Sequence, residues 1–268
     1  MNAKELFRAG QLAAAINASV EEVKRRPTDW DAREFLCELL ILSGDLERAD
    51  KHMDVLGHQN PQLMVGVALL RQLVRAEQAR LQLFSEGRIP ELLEAPDAGL
   101  RAALQASVLL REGEAEQAKR IMDESEENRE PLVGYVNGSK VDDFRDLDDL
   151  LSGVLELLTS NGKYYWIPFK RIKQMEFRPA ERTLDLLWRR AHIEVDRDGP
   201  SGEVYIPVTY VPLDNTLSDE ARLGHTTDWV GGEDSMMRGI GQRMFLAGDE
   251  ALPIMDIQEL RFSGVGEG

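Results

Sequence analysis

The sequence predicts an α+β fold in two parts: helical hairpins over residues 1–131, then a mainly antiparallel β domain with short helices over residues 132–268. Three observations predict it. A Gly-polar-apolar-x-x-Ala pattern recurs in the first part at a spacing near 34 residues. From Val133 onward the apolar period falls towards two. Two Asn-Gly pairs, Asn137-Gly138 and Asn161-Gly162, flank the acidic stretch between the parts, and such pairs mark type I′ hairpin turns because both central residues need positive φ.

In the first part the pattern occurs as GQLAAA from Gly10, GDLERA from Gly44 and GEAEQA from Gly113, with the first two 34 residues apart. Pro27, Pro61 and Pro131 follow them after 17, 17 and 18 residues. A turn glycine lets two antiparallel helices approach, the alanine lets them pack closely, and the proline cannot continue the second helix. A period near 34 with these features predicts tetratricopeptide-like (TPR-like) hairpins. The spacing gives helices at about 3–9, 11–25, 29–42, 45–57, 61–85, 97–111 and 114–127.

On the long fifth helix, Leu63, Val67, Leu70, Val74, Leu81 and Phe84 form an apolar stripe, which puts Arg71, Arg75, Glu77 and Arg80 largely on other faces. Pro90 and Pro96 then interrupt the repeat. So short an array supports two readings: a concave surface that binds a peptide or helix, or a helical layer that caps the second domain.

In the second part, strands are expected at 133–136, 139–141, 154–159, 163–167, 173–177, 187–195, 203–207, 242–246 and 257–262, with short helices at 147–152 and 180–186. Short runs separated by Gly, Pro, Asn and Asp favour antiparallel pairing over a doubly wound sheet.

Charge narrows the function. Forty-eight Asp and Glu against thirty-two Lys and Arg leave a net charge of -16, opposed to binding a phosphate backbone, which needs clustered cations, or an anionic lipid surface. A local basic patch at Arg171, Lys173 and Arg178 remains a site for an acidic partner. The single cysteine, Cys37, lies among Phe35, Leu36, Leu39 and Leu40 and reads as a buried apolar residue. The N-terminus is unlike a signal peptide, and no apolar stretch approaches the roughly 18–20 residues that span a bilayer. Cytoplasm is the expected location.

No catalytic or cofactor motif is found. The four histidines, His52, His58, His192 and His225, lack zinc-ligand spacing, Gly239-Ile240-Gly241 is not a dinucleotide loop, and no Gly-x-Ser-x-Gly elbow occurs. Asp142, Asp143, Asp146, Asp148 and Asp149 form a dense carboxylate cluster. It reads either as an acidic loop feeding a helix N-terminus or as the basis of a metal-dependent enzyme or factor.

The aromatic residues point to a binding protein. Tyr164 and Trp166 share one face of a strand and Tyr165 takes the other. Trp188 stands beside Arg189 and Arg190, and Trp229 precedes Arg238 and Arg243. Trp, Tyr and Arg are the usual energetic anchors of interfaces, so Tyr164, Trp166, Trp188, Arg190, Trp229, Arg238 and Arg243 are the expected partner-binding residues. The alternative for these clusters is buried aromatics with solvated arginines.

With those residues in place, the second part resembles the ImpE family, also called TagJ or SciE-type proteins. The resemblance is carried by VNGSKVDDFRDLDDLL at 136–151, TSNGKYYWIPFKRI at 159–172, DLLWRRAHIEV at 185–195, EVYIPVTY at 203–210, TDW at 227–229 and RGIGQRMFLAGDE at 238–250. It implies a non-enzymatic accessory protein of bacterial type VI secretion systems, without metal, cofactor or catalytic residues. The partner it implies is the N-terminal segment of the small (TssB-type) sheath subunit, with a role in sheath assembly or in turnover by a dedicated AAA+ ATPase.

Overall fold

The computed structural model describes residues 1–196, 199–212 and 217–262. Seven helices come first: α1 (Ala3–Arg8), α2 (Leu12–Arg25), α3 (Trp30–Leu42), α4 (Leu46–Gln59), α5 (Met64–Glu86), α6 (Ala98–Glu112) and α7 (Ala115–Glu127). Hairpins α1/α2, α3/α4 and α6/α7 each close on the same turn. Gly10 donates to the Phe7 carbonyl while Gln11 donates to Leu6; Gly44 and Asp45 bond Ile41 and Leu40, and Gly113 and Glu114 bond Leu110 and Leu109 in the same way. This is the Schellman arrangement, with glycine in the left-handed region at φ 73, 81 and 82. The repeated glycine therefore terminates the helix before it.

Helix α5 breaks the series. It ends on left-handed Gly87, but where a partner helix would follow, Glu91 exchanges backbone hydrogen bonds with the sheet, its N–H donating to Tyr164 at 2.8 Å and its carbonyl accepting from Trp166 at 3.2 Å. Pro90 and Pro96 flank this bridge, and both disfavour a helix there. The bridge also covers an edge strand that would otherwise present unpaired backbone groups.

The strands are β1 (Gly134–Val136), β2 (Ser139–Val141), β3 (Phe144–Asp146), β4 (Val154–Leu158), β5 (Tyr164–Pro168), β6 (Ile172–Phe177), β7 (Trp188–Val195), β8 (Ser201–Pro207), β9 (Thr227–Gly232), β10 (Ser235–Gly241), β11 (Met244–Ala247), β12 (Glu250–Pro253) and β13 (Glu259–Phe262), with a short helix α8 (Asp219–Arg222) between β8 and β9. The main sheet runs β2-β1-β13-β6-β7-β8-β4-β5 with every neighbouring pair antiparallel. Strands β12-β11-β3 form a second sheet, and β9-β10 a separate ribbon. The fold is α+β, as expected from the sequence. Strands β3, β9, β10 and β12 were not expected; they are short, glycine-rich or half exposed, so they lack a run of alternating apolar residues.

One of the two Asn-Gly turns differs from expectation. Asn137 and Gly138 both have positive φ and close the two-residue β1/β2 hairpin. At the β4/β5 turn only Gly162 is left-handed, and Thr159 exchanges hydrogen bonds with Lys163 and Gly162 across a longer loop. That is a type I turn followed by a left-handed glycine, the geometry of longer hairpin loops.

Side-chain alternation sorts the sheet into two packing faces. Val154 and Leu158 of β4, Tyr164 and Trp166 of β5 and Trp188 of β7 join the helices in one apolar cluster. Leu155, Leu157, Ile167 and Ile193 point the other way, into a second cluster around Phe144, Phe169, Phe245 and Phe262, whose rings pack 5.2–6.0 Å apart. The first cluster runs from the helical array into the sheet without a break. Among the described residues no helix is long and apolar enough to cross a membrane.

The turn chemistry is testable. At Gly113 φ is +82 and nothing lies within 4 Å of an added Cβ, so Gly113→Ala acts through backbone strain alone. Its expected cost is about 1 kcal/mol, read as a fall of roughly 2–4 °C in melting temperature. An unchanged melting temperature counts against this geometry.

Candidate functional site

The seam between α5 and the sheet is filled by charge. The deepest face of α5 is Leu73, Ala76, Glu77, Arg80 and Leu83, each 6% exposed or less. The apolar stripe expected from the sequence, Val74 apart, packs half-buried along its flank. Glu77 and Arg80 thus lie on the buried face, contrary to the sequence expectation. On the facing strand, Glu156 sits between Val154 and Leu158 with no exposure at all.

Arg80 grips Glu156 with Nε and Nη2, at 2.9 and 3.1 Å. Its Nη1 donates to Glu77 at 3.1 Å and Nη2 also to the Thr209 carbonyl at 2.8 Å. Glu77 accepts from Trp188 Nε1 at 2.9 Å. Glu156 accepts further from the Tyr164 hydroxyl and from Arg243 Nη2. Arg243 lies 3.4 Å from Asp146, which also accepts from the Tyr210 hydroxyl at 2.8 Å. Beside it Asp148 accepts from Arg238 Nε at 2.9 Å and from the Gly239 N–H at 3.0 Å.

The environment sets the charge states. Burial opposes ionisation of Glu156, but Arg80 and Arg243 outweigh it and hold the carboxyl down at about 2. Burial pushes Asp146 up to about 7 against the pull of Arg243, with Asp148 adding repulsion. Asp146 Oδ2 has no hydrogen-bond partner among the described residues. Burial likewise drives the Cys37 thiol up to about 12, leaving an inert apolar side chain.

This network absorbs most of the aspartate cluster and most of the expected binding residues. Asp143 is held by Arg129 and the Leu132 N–H, Asp149 accepts from the Met237 N–H, and Asp142 faces solvent. Among the described residues no three His, Cys, Asp or Glu side chains gather as a metal site would require. Tyr164, Trp166, Trp188, Arg238 and Arg243 are all at or below 8% exposure; their polar ends meet the protein's own groups, so they brace the surface from within. Arg190 is partly exposed and tied to Asp185 at 3.1 Å. Trp229 is half-buried, with its ring 5.9 Å from that of Tyr210. The basic patch is spent on ion pairs: Arg171 with Asp196 and Glu94, Lys173 with Glu194, and Arg178 with Glu203.

Glu77, Arg80 and Glu156 are the residues sequence reasoning missed. A glutamate centred in the apolar strand VLELL was the available signal, because a strand buried on both faces reads as continuously apolar. Two of the surface grooves lie beside α6. One of about 710 Å³ lies between α6/α7 and the sheet, where Lys170 pairs with Asp97 and Arg129 with Asp143. The other, of about 600 Å³, runs between α5/α6 and the β9-β10 ribbon and is lined by Phe84, Leu110, Arg111, Val230, Met236 and Arg238 among others.

Comparison with known proteins places this architecture. The family model described as ImpE protein matches residues 138–261. The type VI secretion system accessory component TagJ of Pseudomonas aeruginosa is 28% identical over 262 residues, covering 98% of this chain and 91% of TagJ. The crystal structure of protein VPA1032 from Vibrio parahaemolyticus superposes with a TM-score of 0.90 at 30% identity, covering 97% of each chain.

The seam makes two predictions. Arg80→Ala leaves Glu77 and Glu156 buried without their shared cation and is expected to cost about 3–5 kcal/mol in urea unfolding. A loss below about 1 kcal/mol would show that the seam is not closed by this pair. The second concerns pH. Glu156 ionises more readily folded than unfolded, so its stabilisation is present above its ordinary value of 4.5 and is lost as pH falls towards 2. Asp146 shifts the other way: its contribution is present below 3.8 and is lost as pH rises through about 7. In urea midpoints across pH, Glu156→Gln should flatten the acid limb and Asp146→Asn the decline towards neutrality.

Proposed function

The chain belongs to the ImpE family, and from that premise we propose that it is a non-enzymatic accessory component of a bacterial type VI secretion system. In this reading it binds the N-terminal segment of the small, TssB-type sheath subunit in the cytoplasm and assists sheath assembly or turnover. Its link to the sheath-disassembling AAA+ ATPase is then indirect, through that shared subunit. The observation that carries the reading is the likeness to TagJ along nearly the whole chain. The site geometry supports it: the clustered carboxylates and arginines are spent on one another, while the grooves and the half-exposed Trp229 remain available for contact.

Of the seven expected binding residues, Trp229 and Arg190 are proposed to touch the partner, Arg238 to reach it only with the amino groups it does not give to Asp148, and the other four to hold the surface beneath it. The test is fluorescence anisotropy of a labelled synthetic peptide of the sheath subunit's N-terminal segment, titrated with the full-length protein. Saturable binding is expected. Trp229→Ala should weaken it about tenfold or more, as loss of an aromatic anchor does, with Arg190→Ala smaller and both melting temperatures near that of the parent. Absence of saturable binding by the parent protein overturns the reading.

A further inference from the structure

The groove between α5/α6 and the β9-β10 ribbon carries a charge pattern unlike the rest of the chain. The sequence holds 48 acidic residues against 32 Lys and Arg, yet among the described residues no aspartate or glutamate lines this groove and both charged residues are arginines. Arg238 is 8% exposed. Its Nε is committed to Asp148 below, and its guanidinium lies 5.6 Å from the Phe84 ring. Arg111 uses Nη1 on the carbonyls of Leu83 and Ser107. The Nη1 and Nη2 groups of Arg238 and the Nη2 group of Arg111 have no protein hydrogen-bond partner among the described residues. The rest of the described lining is mostly apolar, with Phe84, Leu110, Val230 and Met236 beside three serines.

None of these amino groups is among the fully buried polar atoms left without a partner, so they stay open to a ligand in the groove. A carboxylate is the group that meets two guanidinium donors in one plane. We propose that this groove docks an acidic, apolar segment of the partner protein, with its apolar side chains against Phe84, Leu110 and Val230 and one carboxylate on Arg238 and Arg111. This inference rests on the proposed binding of the sheath subunit and specifies the site and the chemistry of the bound segment. Lysine-rich segments and a second copy of this chain are the competing occupants.

The probe is an array of overlapping short peptides that together cover the sheath small subunit, incubated with labelled full-length protein. The strongest binder is then titrated in solution. Binding is expected to favour segments with Asp or Glu among apolar residues and to weaken with added salt. Replacing the acidic residues of that peptide by Asn or Gln should lower affinity about tenfold, as loss of a charge-assisted pair does. Val230→Asp, on the exposed ribbon, and Arg111→Gln should each lower it to a similar degree. Because Arg111 also braces α5 against α6, its melting temperature is compared with the parent's, and Val230→Asp serves as the variant free of that burden.

If every segment fails to bind the parent protein, both this inference and the proposed function fall. Binding that survives both variants and the amide peptide overturns the groove alone. A preference for Lys-rich segments overturns the acidic occupant, and dimerisation abolished by Val230→Asp, with peptide affinity unaltered, assigns the groove to a second copy.

Discussion

The Arg80–Glu156 pair is the contact on which the rest of the structure depends. It joins a helix of the repeat array to the middle of β4, the strand beside the sheet's edge strand β5, 76 residues away in sequence. A lone charge at either position would carry a desolvation cost of several kcal/mol, so neither half can bury its member without the other. Glu77 and Arg243 extend the chain of charges, and Tyr164, Trp188 and the Thr209 carbonyl add further hydrogen bonds to it. Such a seam is specific in register: sliding α5 by one turn would take Glu77 and Arg80 away from Trp188, Glu156 and the Thr209 carbonyl. A purely apolar seam would tolerate the slip.

The same contact explains why the helical array is irregular. A third hairpin would need a partner helix after α5, but the face that such a helix would cover is occupied by β4 and β5. The chain runs instead as an extended segment along β5, and the repeat resumes at α6. The two grooves lie where the array and the sheet diverge on either side of α6. Their walls come from different halves, so their shape is set by the buried charges behind them. A protein that works by presenting such a surface needs the walls held at a fixed separation, and a bidentate guanidinium-carboxylate pair resists both rotation and sliding.

The ribbon β9-β10 ties the acidic loop into this scheme. Asp148 accepts from Arg238 and the Gly239 N–H, and Asp149 from the Met237 N–H. Gly239 is required there because a Cβ would meet the Tyr210 ring at 2.1 Å. The carboxylate run that looked like a cation site in sequence is therefore a set of backbone and arginine acceptors. All but solvent-facing Asp142 are met one residue at a time, by partners that come from four separate elements or linkers.

By itself, the sequence determined the helical repeat, the α+β class and the membership of Tyr164 and Trp166 in one strand face, because each follows from local spacing: glycine at a helix end, period two in a strand, apolar stripes on helices. The tertiary structure alone decided which of those faces is covered. Glu77 and Arg80 look like solvent-facing charges on a helix, and Trp166 and Trp188 like exposed anchors, until the helix and the sheet are brought together. Burial of a polar group depends on a partner far away in the chain, and that long-range pairing leaves no periodic trace in the sequence around either residue.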